Sequence, residues 1–368
     1  MLYRAIGLMS GSSLDGLDLA YVEFHENAGK WNFEILQAEC YLYDEDWKQS
    51  LKNAVDLNAR DYLLLHTAYG NYLGNSVQRF ISEHQLPYQV QLIASHGHTS
   101  FHMPEKKMTA QLGDAAAIAA ITGINTVSEL RAMDIALGGQ GAPIVPMGEN
   151  LLFPEYGFFL NIGGIANISC RYEGFFTAFD CCPANSLLNA LAEKAGLEFD
   201  EGGKLASQGR IQTSLLESLD RIDYYAKPYP KSLSNELATL NLWPLLMESG
   251  GSIQDLICTC CEHIAGQIAA SAQVLIQDLG FDTAHNSKML CTGGGSLNDY
   301  LISRLKHHLA GTGIDPIVPD KKLVKFKEAL VMALLGVLRW REENTVLASV
   351  TGASRNSIGG CVWIGLEA

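Results

Sequence analysis

Gly7-Leu-Met-Ser-Gly-Ser-Ser-Leu-Asp-Gly-Leu-Asp18 is a polar turn between two apolar arms, Leu2 to Leu8 and Leu17 to Phe24. Both arms are rich in β-favouring residues, so the segment reads as a hairpin with a Gly/Ser/Asp tip. Gly11 and Gly16 let the backbone turn tightly and let an anion approach its amides, while Ser12 and Ser13 add hydroxyl donors. That combination suits a phosphate cradle. Asp15 and Asp18 stand where a phosphate would sit, an arrangement that makes sense when a divalent metal or its bound waters lie between. An ordinary hairpin tip draws on the same residue types, so this stretch alone leaves both readings open.

Working outward, Trp31 to Ala38 supplies a third strand, so three strands precede any helix. The pattern then returns. Gly157 to Ile162 reads as a strand, Gly163-Gly164 as a turn, Ile165 to Tyr172 as a second strand and Gly174 to Phe179 as a third. The two copies begin about 150 residues apart, far beyond a solenoid period, and imply two related α/β lobes facing one cleft. Gly138-Gly-Gln-Gly-Ala-Pro143 lies between them and places a lobe boundary nearby. The resulting division is 1–133 with 350–368, and 134–349.

Between the copies, a helix is expected from about Asp61 to His84, with Tyr62, Leu65, Tyr69, Tyr72, Leu73, Val77 and Phe80 on one stripe. Val90 to Ala94 reads as a buried strand emptying into a polar loop, Ser95 to Pro104, followed by a short helix, Asp114 to Ile121, and a strand, Asn125 to Val127. In the second half, Ile253 to Leu279 and Phe326 to Arg341 read as helices, and Cys361 to Ile364 as a closing strand.

Lys288 to Cys291 opens into Thr292-Gly-Gly-Gly-Ser-Leu-Asn298, a glycine loop at a helix start. Two glycine hairpins and this loop of Gly293, Gly294 and Gly295 match the needs of an ATP site: one hairpin grips the terminal phosphates, the other completes the cradle, and the late loop lies flat against adenosine. Neither a Gly-x-x-x-x-Gly-Lys-Ser/Thr loop nor a protein-kinase signature occurs. Asp180 follows an apolar strand and precedes Pro183 and a helix from about Ser186 to Ala195. Helix amides there would hold it ionised, ready to accept a proton, although an N-cap aspartate fits the same position.

His98 and His102 have the spacing of a metal pair, with His96 close by, but Gly97 and Pro104 disfavour the helix that would align them. A polar substrate-binding loop is the better reading. Cys258, Cys260, Cys261 and His263 lie in an apolar helical stripe with no second Cys-x-x-Cys, which makes them small buried residues rather than a zinc site. Arg131 and Glu328 are charges that could point into the cleft, or that could pair on the surface.

The totals bound the rest. A chain of 368 residues suits two domains. A formal charge of −14 argues against general affinity for nucleic acid or anionic membrane. Nine cysteines, with adjacent pairs at Cys181-Cys182 and Cys260-Cys261, read as reduced thiols in a reducing compartment, and neither a signal peptide nor a membrane-spanning run is evident, so a cytoplasmic protein is expected.

Taken together, Gly7-Leu-Met-Ser-Gly-Ser-Ser-Leu-Asp-Gly16, Ser95-His-Gly97, Gly138 to Pro143, Leu160-Asn-Ile-Gly-Gly164, Phe179-Asp-Cys181 with Pro183 and Asn185, Gly293 to Gly295 and Val350-Thr-Gly352 resemble the anhydro-N-acetylmuramic acid kinase family over nearly the full length. The resemblance implies two ribonuclease-H-like lobes of actin/hexokinase type closing over Mg-ATP. It also implies a reaction of cell-wall recycling, in which water opens the 1,6-anhydro ring while O6 receives the γ-phosphate, and it suggests a homodimer. Asp180 matches the catalytic base of the family. Gly11, Ser12, Ser13, Asp15, Gly16 and Asp18, with Gly163, Gly164 and Gly293 to Gly295, fall to ATP, and Mg2+ would be held through phosphates and waters near Asp15. Ser95, His96, Gly97, Arg131, Gly141, Ala142, Pro143 and Glu328 fall to the amino sugar, with Arg131 as partner of its lactyl carboxylate.

The sequence departs from the family pattern at Ser12, Cys181, Cys182, Ala184 and His98, which stand for threonine, threonine, two glycines and glutamine. The changes beside Asp180 and at His98 keep open a kinase of the same fold for another sugar. A chaperone-like ATPase switch and a metal-dependent relative using His98 and His102 are the remaining alternatives.

Overall fold

The opening hairpin forms as read, with β1 (Leu2–Ser10) antiparallel to β2 (Gly16–Asn27), and β3 (Lys30–Leu42) antiparallel to β2. The computed structural model describes residues 1–11, 14–229, 231–233, 237–281 and 287–365, apart from the side chain of Phe175; the calls on Ser12 and Ser13 lie outside them. After the meander the chain crosses over. β4 (Leu92–Met103) runs parallel to β1, β5 (Met108–Leu112) folds back on residues 98–103 of β4, and β6 (Thr126–Ser128) runs parallel to β4. Cys361–Trp363 adds an antiparallel strand beside β6, so the sheet reads, from that edge, closing strand, β6, β4, β1, β2, β3.

β1 is central to this sheet, and its residues Ala5 to Leu8 are buried on both faces. Helix Ala59–Glu83 starts at Asn58, whose side chain accepts the Asp61 amide at 3.1 Å, and it buries Tyr69, Leu73, Val77 and Phe80 along one stripe. Helix Lys321–Trp340 rides close on the strands. A Cβ at Gly7 would stand 1.9 Å from the Ala329 carbonyl oxygen, and one at Gly336 2.5 Å from the Ala94 Cβ. Both glycines are therefore required by backbone approach.

The second sheet repeats the plan. β7 (Tyr156–Ile162), β8 (Ile165–Tyr172) and β9 (Phe175–Pro183) form an antiparallel meander, β10 (Ser287–Thr292) runs parallel to β7, and β11 (Ile314–Ile317) parallel to β10. A meander followed by two parallel strands beside its first strand is the ribonuclease-H-like arrangement, and it occurs twice. Helix Ile253–Leu279, capped by Ser252 and ended by Gly280 at φ +66°, contributes Ile257, Cys260, Cys261, Ile264 and Ile268 to the core of this second unit. The three cysteines of that helix are thus buried packing residues, as their apolar surroundings implied.

The compact units are Met1–Pro154 with Phe326–Ala368, and Glu155–Lys325. They divide after 154 and after 325 rather than after 133 and 349. The reason lies in helix Pro146–Leu152, whose Glu149 carboxylate accepts from Lys327 Nζ at 2.7 Å and whose Gly148 packs on Val331, joining it to the first unit. A second correction concerns Ser95 to Pro104. The segment is strand through Met103, because β5 offers the ladder partner that a loop would lack.

Candidate functional site

In the first unit β4 carries Ser95, His96 and Gly97 at its middle. His96 Nδ1 lies 2.9 Å from the Gly97 carbonyl and Nε2 lies 2.9 Å from Arg131 Nε. A carbonyl only accepts and a guanidinium only donates, so the ring is neutral with its proton on Nδ1. Burial, aided by the Arg131 charge, pushes the His96 pKa down to about 3. Gly97 sits at φ +70°, and a Cβ there would lie 2.4 Å from the Leu112 carbonyl oxygen.

Arg131 is no surface residue. Its Nη1 donates to the Gly141 carbonyl, which leaves Nη2 without a hydrogen-bond partner among the described residues. Burial lowers its pKa to about 10, against the opposing charges of Glu328 and Asp134, so the guanidinium stays cationic at neutral pH. Asp134 was not singled out by sequence, yet its carboxylate organises the region. It accepts the Gly141 amide at 2.7 Å and the Thr351 hydroxyl at 2.7 Å, while the Gln140 amide donates to the Thr351 carbonyl at 2.8 Å. The glycine run 138–143 and the motif Val350-Thr-Gly352 are tied together this way. Arg131, Asp134, Gly141, Pro143 and Thr351 line one small pocket. Glu328 lies inside helix Lys321–Trp340 rather than at its start, and burial raises its pKa despite the nearby charges of Lys327 and Arg131. Ser95 Oγ is buried with no hydrogen-bond partner among the described residues.

Behind the hairpin tip, Ser10 Oγ accepts the Tyr43 hydroxyl at 2.8 Å and lies 3.2 Å from His98 Nδ1, and Tyr43 and Tyr69 hydroxyls are 2.5 Å apart. At the tip itself the Leu14 amide donates to the Gly11 carbonyl at 3.4 Å, and Asp15 is exposed. Gly16 admits no side chain, since a Cβ would lie 2.6 Å from the Tyr41 carbonyl oxygen. His98 and His102 do not converge: His102 Nδ1 turns to Thr109 Oγ1 at 3.1 Å. Among the described residues no three His, Cys, Asp or Glu side chains come together in a way that could hold a metal ion. A hydrated Mg2+ fits an exposed carboxylate such as Asp15 when phosphate oxygens supply its other ligands.

In the second unit the two glycine motifs meet. The Ala184 amide donates to the Gly164 carbonyl at 2.8 Å and the Asn185 amide to the Gly163 carbonyl at 3.0 Å, so the β7–β8 turn is locked to the start of helix Asn185–Lys194. Gly293, at φ +81°, packs so closely that a Cβ would lie 2.7 Å from both Asn161 Oδ1 and the Ile162 carbonyl oxygen, and a Cβ at Gly295 would meet Ile162 Cγ2 at 2.3 Å. Asn185 stands beside both motifs: its Nδ2 donates to the Ile162 carbonyl at 3.3 Å, and a Cβ at the buried Gly295 would lie 2.7 Å from its Oδ1.

Asp180 lies within β9 and not after its end; it pairs with Asn167, and Cys181 is the extra residue of a bulge. The helix amides expected to hold it ionised are not its donors. Oδ2 accepts the Leu233 amide at 2.9 Å, and burial outweighs that bond to raise its pKa above the ordinary aspartate value. Cys181 and Cys182, beside it in sequence, are core residues, and burial raises both thiols, Cys181 to about 12. Tyr224, Lys231 and Leu233, which reach Asp180, were not singled out from the sequence.

Residues 3–365 match the family model described as anhydro-N-acetylmuramic acid kinase. Two relatives bearing that name are 34% identical over 95% of this chain and 95% of their own length, from Vibrio cholerae, and 33% identical over 98% and 99%, from Aliivibrio fischeri. Among solved structures, (R)-2-hydroxyglutaryl-CoA dehydratase component A of Acidaminococcus fermentans is similar at TM-score 0.47 and 14% identity, covering 91% of this chain and 97% of that one, a likeness too distant to carry an argument.

Proposed function

The chain belongs to the anhydro-N-acetylmuramic acid kinase family, and on that premise we propose how its residues carry the reaction. The enzyme is an ATP-dependent kinase that opens the 1,6-anhydro ring of anhydro-N-acetylmuramic acid with water and phosphorylates O6, giving N-acetylmuramic acid 6-phosphate and ADP in cell-wall recycling. Our assignment of roles is carried by one observation: Asp180 is a half-buried carboxylate with raised basicity, held by a single amide and without an ion-pair partner among the described residues.

Asp180 takes a proton from the water that attacks C1, as the base of an inverting glycosidase does. The C1–O6 bond breaks, O6 gains the electron pair and attacks the γ-phosphorus, and ADP leaves. One carboxylate thus drives both bond changes. Within the first unit, Arg131 offers Nη2 to the lactyl carboxylate, and His96, being neutral, orients that guanidinium without adding charge. The orphaned Ser95 hydroxyl, Gly97, the turn Gly141-Ala142-Pro143 and Glu328 complete the sugar contacts. Gly11, Ser12, Ser13 and Gly16 serve the phosphates, with Asp15 and Asp18 toward the hydrated metal. Within the second unit, Gly163, Gly164 and Gly293 to Gly295 give ATP close backbone approach. When bound, Mg2+ supplies charge neutralisation at the phosphoryl oxygens.

The chain acts in the cytoplasm as a homodimer in this reading, with exposed Leu197, Phe199, Leu240 and Met247 of the second unit as candidate contact residues, checked by light scattering. The chemistry is tested by incubating enzyme, ATP and the anhydro sugar in heavy-oxygen water. The product should carry one heavy oxygen, at C1, and none in its phosphoryl group. Heavy oxygen in inorganic phosphate, with the sugar left unphosphorylated, would mean that water, not O6, attacks phosphorus.

A further inference from the structure

Asp180 is gripped from outside its sheet by a single segment. The Tyr224 hydroxyl donates to the Asp180 carbonyl at 2.7 Å, the Asp180 amide donates to the Lys231 carbonyl at 3.1 Å, and the Leu233 amide donates to Oδ2 at 2.9 Å. The Asp180 carbonyl, amide and carboxylate are thus held by Tyr224, Lys231 and Leu233 respectively. Lys231 Nζ closes the segment on itself, donating to the carbonyls of Tyr224 and Tyr225 at 3.3 and 3.2 Å.

The segment has its own anchor. Tyr225 Oη is 2.9 Å from Nε2 of the fully buried His263, whose Nδ1 lies 2.6 Å from Asp220 Oδ1. Gln267 Nε2 donates to the same carboxylate oxygen at 2.9 Å. Asp220 accepts, so Nδ1 carries a proton, and the Tyr225 hydroxyl meets Nε2 on the other side of the ring. Such an arrangement of carboxylate, imidazole and hydroxyl fixes each member in one orientation. None of its members is assigned to sugar or nucleotide, and nothing in the reaction uses it directly.

We propose that Tyr224 and Tyr225, backed by His263 and Asp220, are positioning residues that set the orientation and basicity of Asp180. The proposal rests on the reading of Asp180 as base. Tyr224 acts directly on its backbone, and the Tyr225–His263–Asp220 chain holds the strap from behind. Two influences oppose each other at the carboxylate: burial raises its pKa and the Leu233 amide lowers it. The other titratable groups near Asp180 are Tyr224, Lys231 and the thiols of Cys181 and Cys182, whose proton equilibria it perturbs or which flank it. Loosening the strap weakens the amide bond, leaves burial to dominate and raises the pKa of the base. Since a base works only when deprotonated, the acidic limb of kcat must then move to higher pH.

The test compares Tyr224→Phe, Tyr225→Phe and His263→Gln with Asp180→Asn in the full-length enzyme, following kcat against pH with saturating ATP and sugar. Tyr224→Phe should lower kcat about tenfold, leave KM for ATP within about twofold and move the acidic limb upward. Tyr225→Phe and His263→Gln should move the limb the same way by less. A fall in Tm with kcat and limb unchanged in Tyr224→Phe would reduce the strap to a stability element and overturn the proposal. Should that variant fail to fold, Tyr225→Phe decides by the same limb. Turnover retained by Asp180→Asn would instead remove the base reading itself, whereas an inert Asp180→Asn beside tyrosine variants with the wild-type limb would remove only the positioning role.

Discussion

β4 and β10 hold equivalent places in the two sheets, each parallel to the first strand of its meander, yet they end in opposite ways. β4 runs past Gly97 to Met103, supported by β5, and presents His96 to Arg131. β10 stops at Thr292, and Gly293 to Gly295 press bare backbone against Ile162 and Asn185. The meander tips differ in the same sense, with residues 11–15 between β1 and β2 against the two-residue Gly163-Gly164 turn between β7 and β8. Shared topology therefore fixes where chemistry can be placed, and the residues after each strand decide its kind. On the roles proposed above, the first unit recognises chiefly with side chains, the second with backbone and one carboxylate.

That contrast predicts unequal responses to substitution. The largest belongs to Asp180→Asn, which keeps shape but removes the proton acceptor; kcat should fall by at least about a hundredfold with little change in Tm, read from coupled ADP release and thermal unfolding. Retention of turnover would break the division of labour at its root. Next comes Gly293→Ala. A side chain there meets Asn161 and Ile162 at 2.7 Å in a positive-φ conformation, so a loss of about 2–4 kcal/mol in unfolding free energy is expected by denaturant titration. Arg131→Lys sharpens the first unit's half of the comparison. Lysine cannot span His96, the Gly141 carbonyl and a ligand carboxylate at once, so KM for the sugar should rise about tenfold while KM for ATP holds.

How much of this was legible before the coordinates depended on the kind of signal. The two meanders followed from alternating apolar runs broken by glycine, and helix Ile253–Leu279 from its stripe, because local pattern and tertiary burial agree there. Ser95 to Pro104 misled, since its polar side chains suggested loop while a strand partner seven residues on, Thr109 against His102, made it sheet. Asp134 was missed although it precedes the run Gly138 to Gly141, a place where an aspartate commonly receives turn amides. No local cue joins Tyr224 or Leu233 to Asp180. Their pairing is set by the folded path of a chain segment more than 40 residues away, which composition and spacing do not encode.

A smaller effect tests His96 through stability rather than turnover. In the unfolded chain this histidine binds a proton near 6.5, but in the native state not until about 3, because burial and Arg131 oppose the charge. The unfolded state thus holds more protons between these values, and its relative free energy falls as pH falls. Stability conferred by keeping the ring neutral is complete above 6.5 and is lost progressively down to about 3. His96→Gln, which retains a polar group without the titration, should flatten that part of the Tm-against-pH curve; an unchanged slope would place the loss elsewhere.

The smallest expected change separates backbone packing from backbone recognition. Gly163, like Gly293, is proposed to serve ATP, but a Cβ on it would find nothing nearer than the Ile165 carbonyl oxygen at 3.5 Å, an ordinary contact. Gly163→Ala should therefore leave Tm within about 2 °C of the parent, where Gly293→Ala does not. If the added methyl nevertheless raises KM for ATP, the glycine is present for what approaches the turn from outside and not for what the fold requires within. If both Tm and KM hold, Gly163 contributes only to the geometry of the β7–β8 turn, and the recognition surface of the second unit narrows to the loop after β10.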